Sequence, residues 1–434
     1  MTGSSAAEAS SPSSHAPRHK RQLQRREQLL AAATRLFNRH SFATVTLEAF
    51  AREVGVTPST LYHHFDNKEA LVYECFRRGV DLYRHEIDRA CEPGLEGLET
   101  VRRFVRGRLR PGEPRMITFS DVDALPKVHR ETIRVGRIRN ADRLASIIEA
   151  GVQDGSIARC NPFLTSLAIF SVLDWMPSWY TESRHYTRQE AADWLDDIIV
   201  HGIVRRDHPE TRLAGSAEEF ASLVRTLASA DRRTAKRDRL LRFATASFNQ
   251  RGVVGSSIEQ IAQDAGVSRS AYYYHAKDKT TLLYLCLMRA YENEHAALDD
   301  ITRAAAQLND GIPAVIHVET RILRAVEFLH NSSHGPKISF HNVPYLAPEQ
   351  HRRILARNSD IVARNHQRYR DAIDAGVFRK LDLSFIQEVG AGMRNNIPTW
   401  AEVARQRGHG ALAETYARVF LFGLKPRRVT APPA

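Results

Sequence analysis

The segment Thr46–Leu71 returns as Ser257–Leu282, 211 residues later and without a gap. The first copy reads TLEAFAREVGVTPSTLYHHFDNKEAL and the second SIEQIAQDAGVSRSAYYYHAKDKTTL. Glu48/Glu259, Ala51/Ala262, Gly55/Gly266, Val56/Val267, Ser59/Ser270, Tyr62/Tyr273, His64/His275, Lys68/Lys279 and Leu71/Leu282 are identical pairs. An internal repeat of this kind constrains the fold more tightly than composition does.

The repetition reaches beyond these segments. REQLLAAATRLFN (Arg26–Asn38) matches RDRLLRFATASFN (Arg237–Asn249) at the same offset, with Leu29, Ala33, Leu36 and Phe37 on one helical face. IIEAGV (Ile147–Val152) matches AIDAGV (Ala372–Val377) at an offset of 225. Trp175-Met176-Pro177-Ser178-Trp179 matches Asn396-Ile397-Pro398-Thr399-Trp400 at 221, an offset that holds into the last helix of each half.

The expected organisation is a tail (1–19), a first repeat (20–206), a linker (207–230), a second repeat (231–427) and a short tail (428–434). Almost every segment reads as helix, so an all-α fold is predicted. In the linker, Ser216 with Glu219 forms a capping-box signature ahead of an apolar stripe of Phe220, Leu223, Val224 and Leu227. That pattern predicts one short helix.

The formal charge of +12, from 62 basic and 50 acidic residues, favours a polyanionic partner. Cys75, Cys91, Cys160 and Cys286 form no CxxC pair, and Cys75 and Cys286 sit 211 apart, as apolar core positions of a reduced cytoplasmic, nucleoid-associated protein would. No apolar run reaches the length of a membrane span. Enzyme motifs are missing: no G-x-S-x-G elbow, no phosphate-cradling glycine loop and no H-E-x-x-H pair. The adjacent carboxylates Asp196-Asp197 and Asp299-Asp300 should diverge around a helix instead of converging on a substrate. His330, His334 and His341 read as surface or loop histidines, because no cysteine or carboxylate set accompanies them; no metal or cofactor is expected.

Each repeated segment has the grammar of a helix-turn-helix. A first helix (Thr46–Val54, Ser257–Ala265) leads into a glycine turn at Gly55 or Gly266, where positive φ is expected. Thr57 and Ser268 then suit the N-cap of a second helix, which would enter a DNA major groove by its N-terminal end. These heads divide at about 23–70 and 234–281 from C-terminal helical domains at 71–206 and 282–427.

The run Ala51, Gly55-Val56, Ser59, Tyr62, His64, Lys68, Leu71, with its second copy, resembles the DNA-binding domain of TetR/AcrR-family transcriptional regulators. Each half also has the length typical of that family, so the chain resembles two such units fused in tandem. The resemblance implies base contacts from Pro58, Ser59, Thr60, Tyr62 and His63 in head one and from Arg269, Ser270, Ala271, Tyr273 and Tyr274 in head two. It implies phosphate contacts from Thr46, Tyr62, His64 and Lys68, and from Ser257, Tyr273, His275 and Lys279. Thr57 and Ser268 belong to the same interface.

Two departures stand out. Ala276 occupies the position of the apolar Phe65, while Tyr272 replaces Leu61; either Tyr272 compensates or head two docks differently. The base-facing pairs Pro58/Arg269, Thr60/Ala271 and His63/Tyr274 also differ while the scaffold agrees, which predicts different half-site preferences.

The resemblance further implies that the C-terminal helices pair subunits and enclose a small effector. The last helices, Ala191–Val204 and Leu412–Leu424, carry apolar faces for a four-helix contact, made either within one chain or between two tandem chains. The Trp-x-Pro-x-Trp stretch resembles a segment of regulators that respond to acyl-CoA esters. A pocket lined by Phe119, Trp175, Trp179, Phe340 and Trp400 is the corresponding expectation, with a hydrophobic effector and repression by operator binding. The alternative is a non-sensing architectural co-regulator whose C-terminal domains only hold partners.

Overall fold

The computed structural model describes residues 16–39, 45–119, 122, 125–180, 186–208, 232–331, 338, 340–410 and 412–427. The linker helix expected around Phe220 and both chain ends lie outside that set. So does His334.

The first half contains α1 (Ala16–Arg39), α2 (Leu47–Glu53), α3 (Pro58–His64), α4 (Lys68–Ala90), α5 (Gly97–Arg108), α6 (Lys127–Gln153), α7 (Pro162–Trp179) and α8 (Arg188–His201). The second half repeats them as α9 (Arg232–Gly255), α10 (Ile258–Asp264), α11 (Arg269–His275), α12 (Lys279–Ala306), α13 (Ala314–Asn331), α14 (Pro348–Asp374), α15 (Leu383–Gln406) and α16 (Leu412–Phe422). A 3-10 turn at Phe340–Tyr345 precedes α14. The fold is all-α, with α1 starting at Ala16, inside the stretch expected to be tail.

The first three helices of each half close around their own small core. Leu29, Leu30, Ala33, Phe37, Phe50, Leu61 and Phe65 build the first with α4, and Leu240, Leu241, Ala244, Phe248, Ile261 and Tyr272 build the second with α12. Cys75 and Cys286 are buried in these cores, where burial pushes both thiols up to about 12. They pack as apolar residues, as expected. An ion pair from α4 back to α1 recurs at the same offset: Arg78–Glu27 at 2.8 Å and Arg289–Asp238 at 2.5 Å.

The C-terminal domains correct one equivalence. Helices α6 and α14 are offset by 221 residues at both ends, not 225. The left-handed glycines that follow them, Gly155 (φ 80°) and Gly376 (φ 72°), share that offset. So do the closing bonds Ile157 N–H to Gly151 O (2.8 Å) and Phe378 N–H to Ala372 O (3.0 Å). The AGV identity is therefore a coincidence of short strings, and Gly151 corresponds to Ala372.

The two halves join through one seam with approximate two-fold symmetry. Penultimate helices α7 and α15 make the closest packing, and the last helices α8 and α16 flank them. At Gly392 an added Cβ would lie 3.1 Å from Val172 Cα, which shows how near the two backbones run. Beyond the last helices the chains exchange backbone hydrogen bonds, each present twice at offset 221. Ile203 N–H donates to Phe420 O (3.1 Å) as Leu424 N–H donates to Ile199 O (2.9 Å). Val204 N–H donates to Leu421 O as Lys425 N–H donates to Val200 O, both at 2.9 Å. Ala158 N–H reaches Leu424 O (2.7 Å) as Arg379 N–H reaches Ile203 O (2.8 Å). This self-complementary pattern is that of an isologous dimer interface, formed here within one chain. Asp196 and Asp197 diverge as expected: Asp196 pairs with Arg102 and Arg106 of its own half, and Asp197 with Arg379 across the seam.

Candidate nucleic-acid interface and interior clusters

Each head is set by short-range hydrogen bonding. Thr46 and Ser257 cap α2 and α10, accepting from Ala49 N–H (3.1 Å) and Gln260 N–H (3.2 Å). Gly55 (φ 67°) and Gly266 (φ 61°) make the turns in the left-handed region. Thr57 accepts from Thr60 N–H (3.2 Å) and Ser268 from Ala271 N–H (3.1 Å), fixing the start of α3 and α11.

On this common frame the outward side chains differ. Pro58, Ser59, Tyr62 and His63 are exposed on α3, and Arg269, Ser270, Tyr273 and Tyr274 on α11; Thr60 and Ala271 are half-buried. Tyr274 is 85% exposed, its ring edge-on to His275 at 5.1 Å. Arg269 leans on Glu259 at 3.7 Å and lies 5.9 Å from the Tyr273 ring, an exposed and weakly held guanidinium.

The exchange of core residues in head two resolves as compensation. Tyr272 is fully buried where Leu61 sits in head one, and Ala276 is buried where Phe65 sits. One large ring moved from one turn to the next keeps the core filled. Its phenol finds no hydrogen-bond partner among the described residues, a cost of about 1–3 kcal/mol that head one does not carry.

Lys68 and Lys279 turn inward in part. Lys68 Nζ donates to Val45 O (3.2 Å) and Lys279 Nζ to Ser256 O (2.8 Å), tying the next helix to the residue ahead of each cap. Burial holds Lys279 below the usual ammonium range. Each lysine thus clamps the start of its helix to the main chain ahead of the preceding cap. His64 and His275 are half-buried, and burial first, then neighbouring cations, lowers both imidazole pKa values. They are neutral near pH 7 and act there as hydrogen-bonding groups, not charges.

The heads also differ behind the recognition helix. Arg26 on α1 is held by Glu74 at 2.6 Å. Leu285 stands at the position of Glu74 in head two, and among the described residues no acid pairs with the exposed Arg237. The exchange of Glu74 for Leu285 is visible in the sequence at offset 211, but it falls outside the identities that define the repeat.

The expected aromatic pocket separates into different seats. Phe119 and Trp400 do come together, at 4.5 and 4.4 Å from the guanidinium of Arg137. Arg137 donates to Asp174 Oδ2 (2.7 Å) and the Tyr83 hydroxyl to Asp174 Oδ1 (2.9 Å). Burial raises the Asp174 pKa, opposed by Arg137, and Tyr83 is pushed well up. Trp175 instead donates to Glu388 Oε2 across the seam (2.9 Å), and Trp179 packs on Tyr186 and Phe385. The side chains of Phe340, His330 and His341 lie outside the described residues. Among the described residues no three His, Cys, Asp or Glu side chains gather as a metal site. Arg137 and Asp174 were not anticipated, because neither carries a motif.

Two small helix-turn-helix heads on a paired helical body define a DNA-binding regulator architecture. The family description "Bacterial regulatory proteins, tetR family" matches residues 29–75 and 240–284, and "Tetracyclin repressor-like, C-terminal domain" matches 98–203 and 319–424. Those matches cover more than half of the chain, which therefore belongs to the TetR family and carries its two-domain unit twice. The uncharacterized HTH-type transcriptional regulator YhgD of Bacillus subtilis is 28% identical over 42% of this chain and 97% of its own length. The HTH-type transcriptional repressor KstR2 of Rhodococcus jostii is 32% identical over 41% of this chain and 91% of its own. A solved structure of the regulator PfmR from Thermus thermophilus is 23% identical, covers 39% of this chain and 95% of its own, and superposes with a TM-score of 0.34. Among the described residues no helix is long and apolar enough to cross a membrane.

Proposed function

We infer that this chain is an operator-binding repressor that grips one duplex with two non-identical heads and lets go when a small hydrophobic effector binds. The observation that carries this is the pairing of an agreed scaffold with disagreeing base-facing residues, both heads being fixed to one seam. Pro58, Ser59, Thr60, Tyr62 and His63 would read one half-site, and Arg269, Ser270, Ala271, Tyr273 and Tyr274 the other. Thr46, Thr57, His64 and Lys68, with Ser257, Ser268, His275 and Lys279, would hold phosphates. A homodimer imposes its symmetry on the operator, and a fused pair does not. Repression accords with the name of the KstR2 relative, itself about one repeat long.

The exposed Arg237, with no acid partner among the described residues, belongs to the phosphate-binding set of head two, while Arg26 is paired with Glu74. Leu285→Glu should therefore reduce the log–log salt slope of duplex binding by about one, and Glu74→Leu should increase it by about one. Titrations between low and moderate salt measure both; equal slopes for the two variants would remove these arginines from the interface.

Sensing is tested by titrating acyl-CoA esters and cell metabolite extract while following tryptophan fluorescence and operator release together. An effector should weaken DNA binding by about 5–150-fold. Tight DNA binding that no ligand changes would favour the architectural reading.

A further inference from the structure

With the 221-residue equivalence in place, the C-terminal domains differ in kind at their centres. Leu98, Leu144, Ile147, Ile148 and Leu173 of the first stand where the second has Glu319, Asn365, Arg368, Tyr369 and Arg394. The first set is apolar core. Of the second, Glu319, Asn365, Tyr369 and Arg394 are no more than 5% exposed. The network is short of acid. Arg368 donates twice to Glu319 Oε1, at 2.9 and 2.6 Å, and the Tyr369 hydroxyl donates to Oε2 at 3.3 Å. Arg394 meets the Tyr369 phenol, and among the described residues no carboxylate pairs with it. The one buried carboxylate is thus taken up by Arg368 and Tyr369, and Arg394 is left with the phenol.

Burying an uncompensated cation is strongly unfavourable. The fold itself does not call for it, because Leu173 occupies the same seat in the first repeat and packs there. Gly390, one turn before Arg394, replaces Ile169 of the first repeat, so a side chain is removed beside the charge; a Cβ there would lie 3.1 Å from Arg394 Nη1. We propose that Arg394 receives the carboxylate or phosphate of a small anionic effector with an apolar body, bound inside the second C-terminal domain and not the first. The planar guanidinium offers a two-point grip on either group, and Ile386 and Phe420 of the same core suit the apolar part. This rests on the sensing reading above and names the ligand class for it.

Calorimetry on the full chain with octanoate, octyl phosphate and neutral 1-octanol tests the assignment, alongside thermal unfolding without ligand. One or both anions should bind saturably, the better one identifying the headgroup, and 1-octanol should not. Arg394→Leu should weaken anion binding at least about tenfold while unfolding no earlier than the parent, because it restores the residue of the first repeat. The proposal is overturned if neither anion binds, if Arg394→Leu binds them as the parent does, or if that variant unfolds earlier without any anion. Operator release by a neutral acyl ester, with no anion bound, would remove Arg394 from the mechanism and leave sensing intact.

Discussion

Gly202→Ala should cost about 2–5 kcal/mol and abolish operator binding, although Gly202 touches neither head. The backbone there has φ 68°, and an added Cβ would fall 2.3 Å from Leu421 O and 2.5 Å from its carbonyl carbon. Left-handed backbone costs a non-glycine residue roughly 1–2 kcal/mol, and overpacking against groups that cannot yield adds about 1–3 more. The obstruction is main chain already engaged in the exchange between Val204 and Leu421, so no rotamer change relieves it. Gly423 stands in the mirrored position, 2.5 Å from Val200 O, and should respond alike. Gly155 supplies the control: φ is 80° with nothing within 4 Å of an added Cβ, so alanine there carries the conformational cost alone. Denaturant midpoints for the three variants separate the two terms. A Gly202 variant as mild as the Gly155 variant would mean that the seam does not hold the halves together.

Arg137→Asn should be comparably damaging, at about 3–5 kcal/mol near neutral pH. Its side chain and that of Asp174 are 12% and 4% exposed, so removing the cation strands a buried carboxylate. The folded Asp174 carboxyl has a raised pKa, chiefly through burial. A raised folded pKa means that its favourable contribution is complete below the unfolded value, about 3.9, and is lost as pH rises through the folded one. Without Arg137 that folded value rises further. The deficit of the variant should therefore shrink toward acid pH and widen toward pH 8. Repeat two holds Asn358 and Asn395 at these two positions. Adding Asp174→Asn should then recover most of the loss, because repeat two carries two uncharged side chains at these positions and the stranded charge is gone. Thermal unfolding across pH checks both points; a pH-independent deficit would assign the effect to lost packing on Phe119 and Trp400.

The heads were legible in the sequence because their determinants are local. Caps at Thr57 and Ser268, left-handed turns at Gly55 and Gly266, and apolar spacing all act within a few residues. The bonds of Lys68 and Lys279 to main-chain carbonyls 23 residues earlier are announced by no side-chain pattern. The C-terminal domains were harder. Matching AGV strings set the register wrongly by four residues, whereas the glycine with positive φ after each helix would have set it correctly. The 225 offset hides the counterparts of Leu144, Ile147 and Ile148, whereas the 221 offset of the proline-tryptophan stretch already sets Leu173 against Arg394. The seam was half-visible: the last helices were identified as apolar, but the close approach of α7 to α15 depends on Gly392, and the two-fold exchange of main-chain bonds leaves no mark on side-chain chemistry.

The central claim is that one chain presents two different readers to one duplex. Footprinting on the natural operator, with Arg269→Ala and Thr60→Ala compared base by base, tests it most directly. Two dissimilar half-sites are expected about 34–36 Å apart, Arg269→Ala relaxing specificity in one and Thr60→Ala only in the other. Two identical half-sites, equally sensitive to both substitutions, would contradict the account.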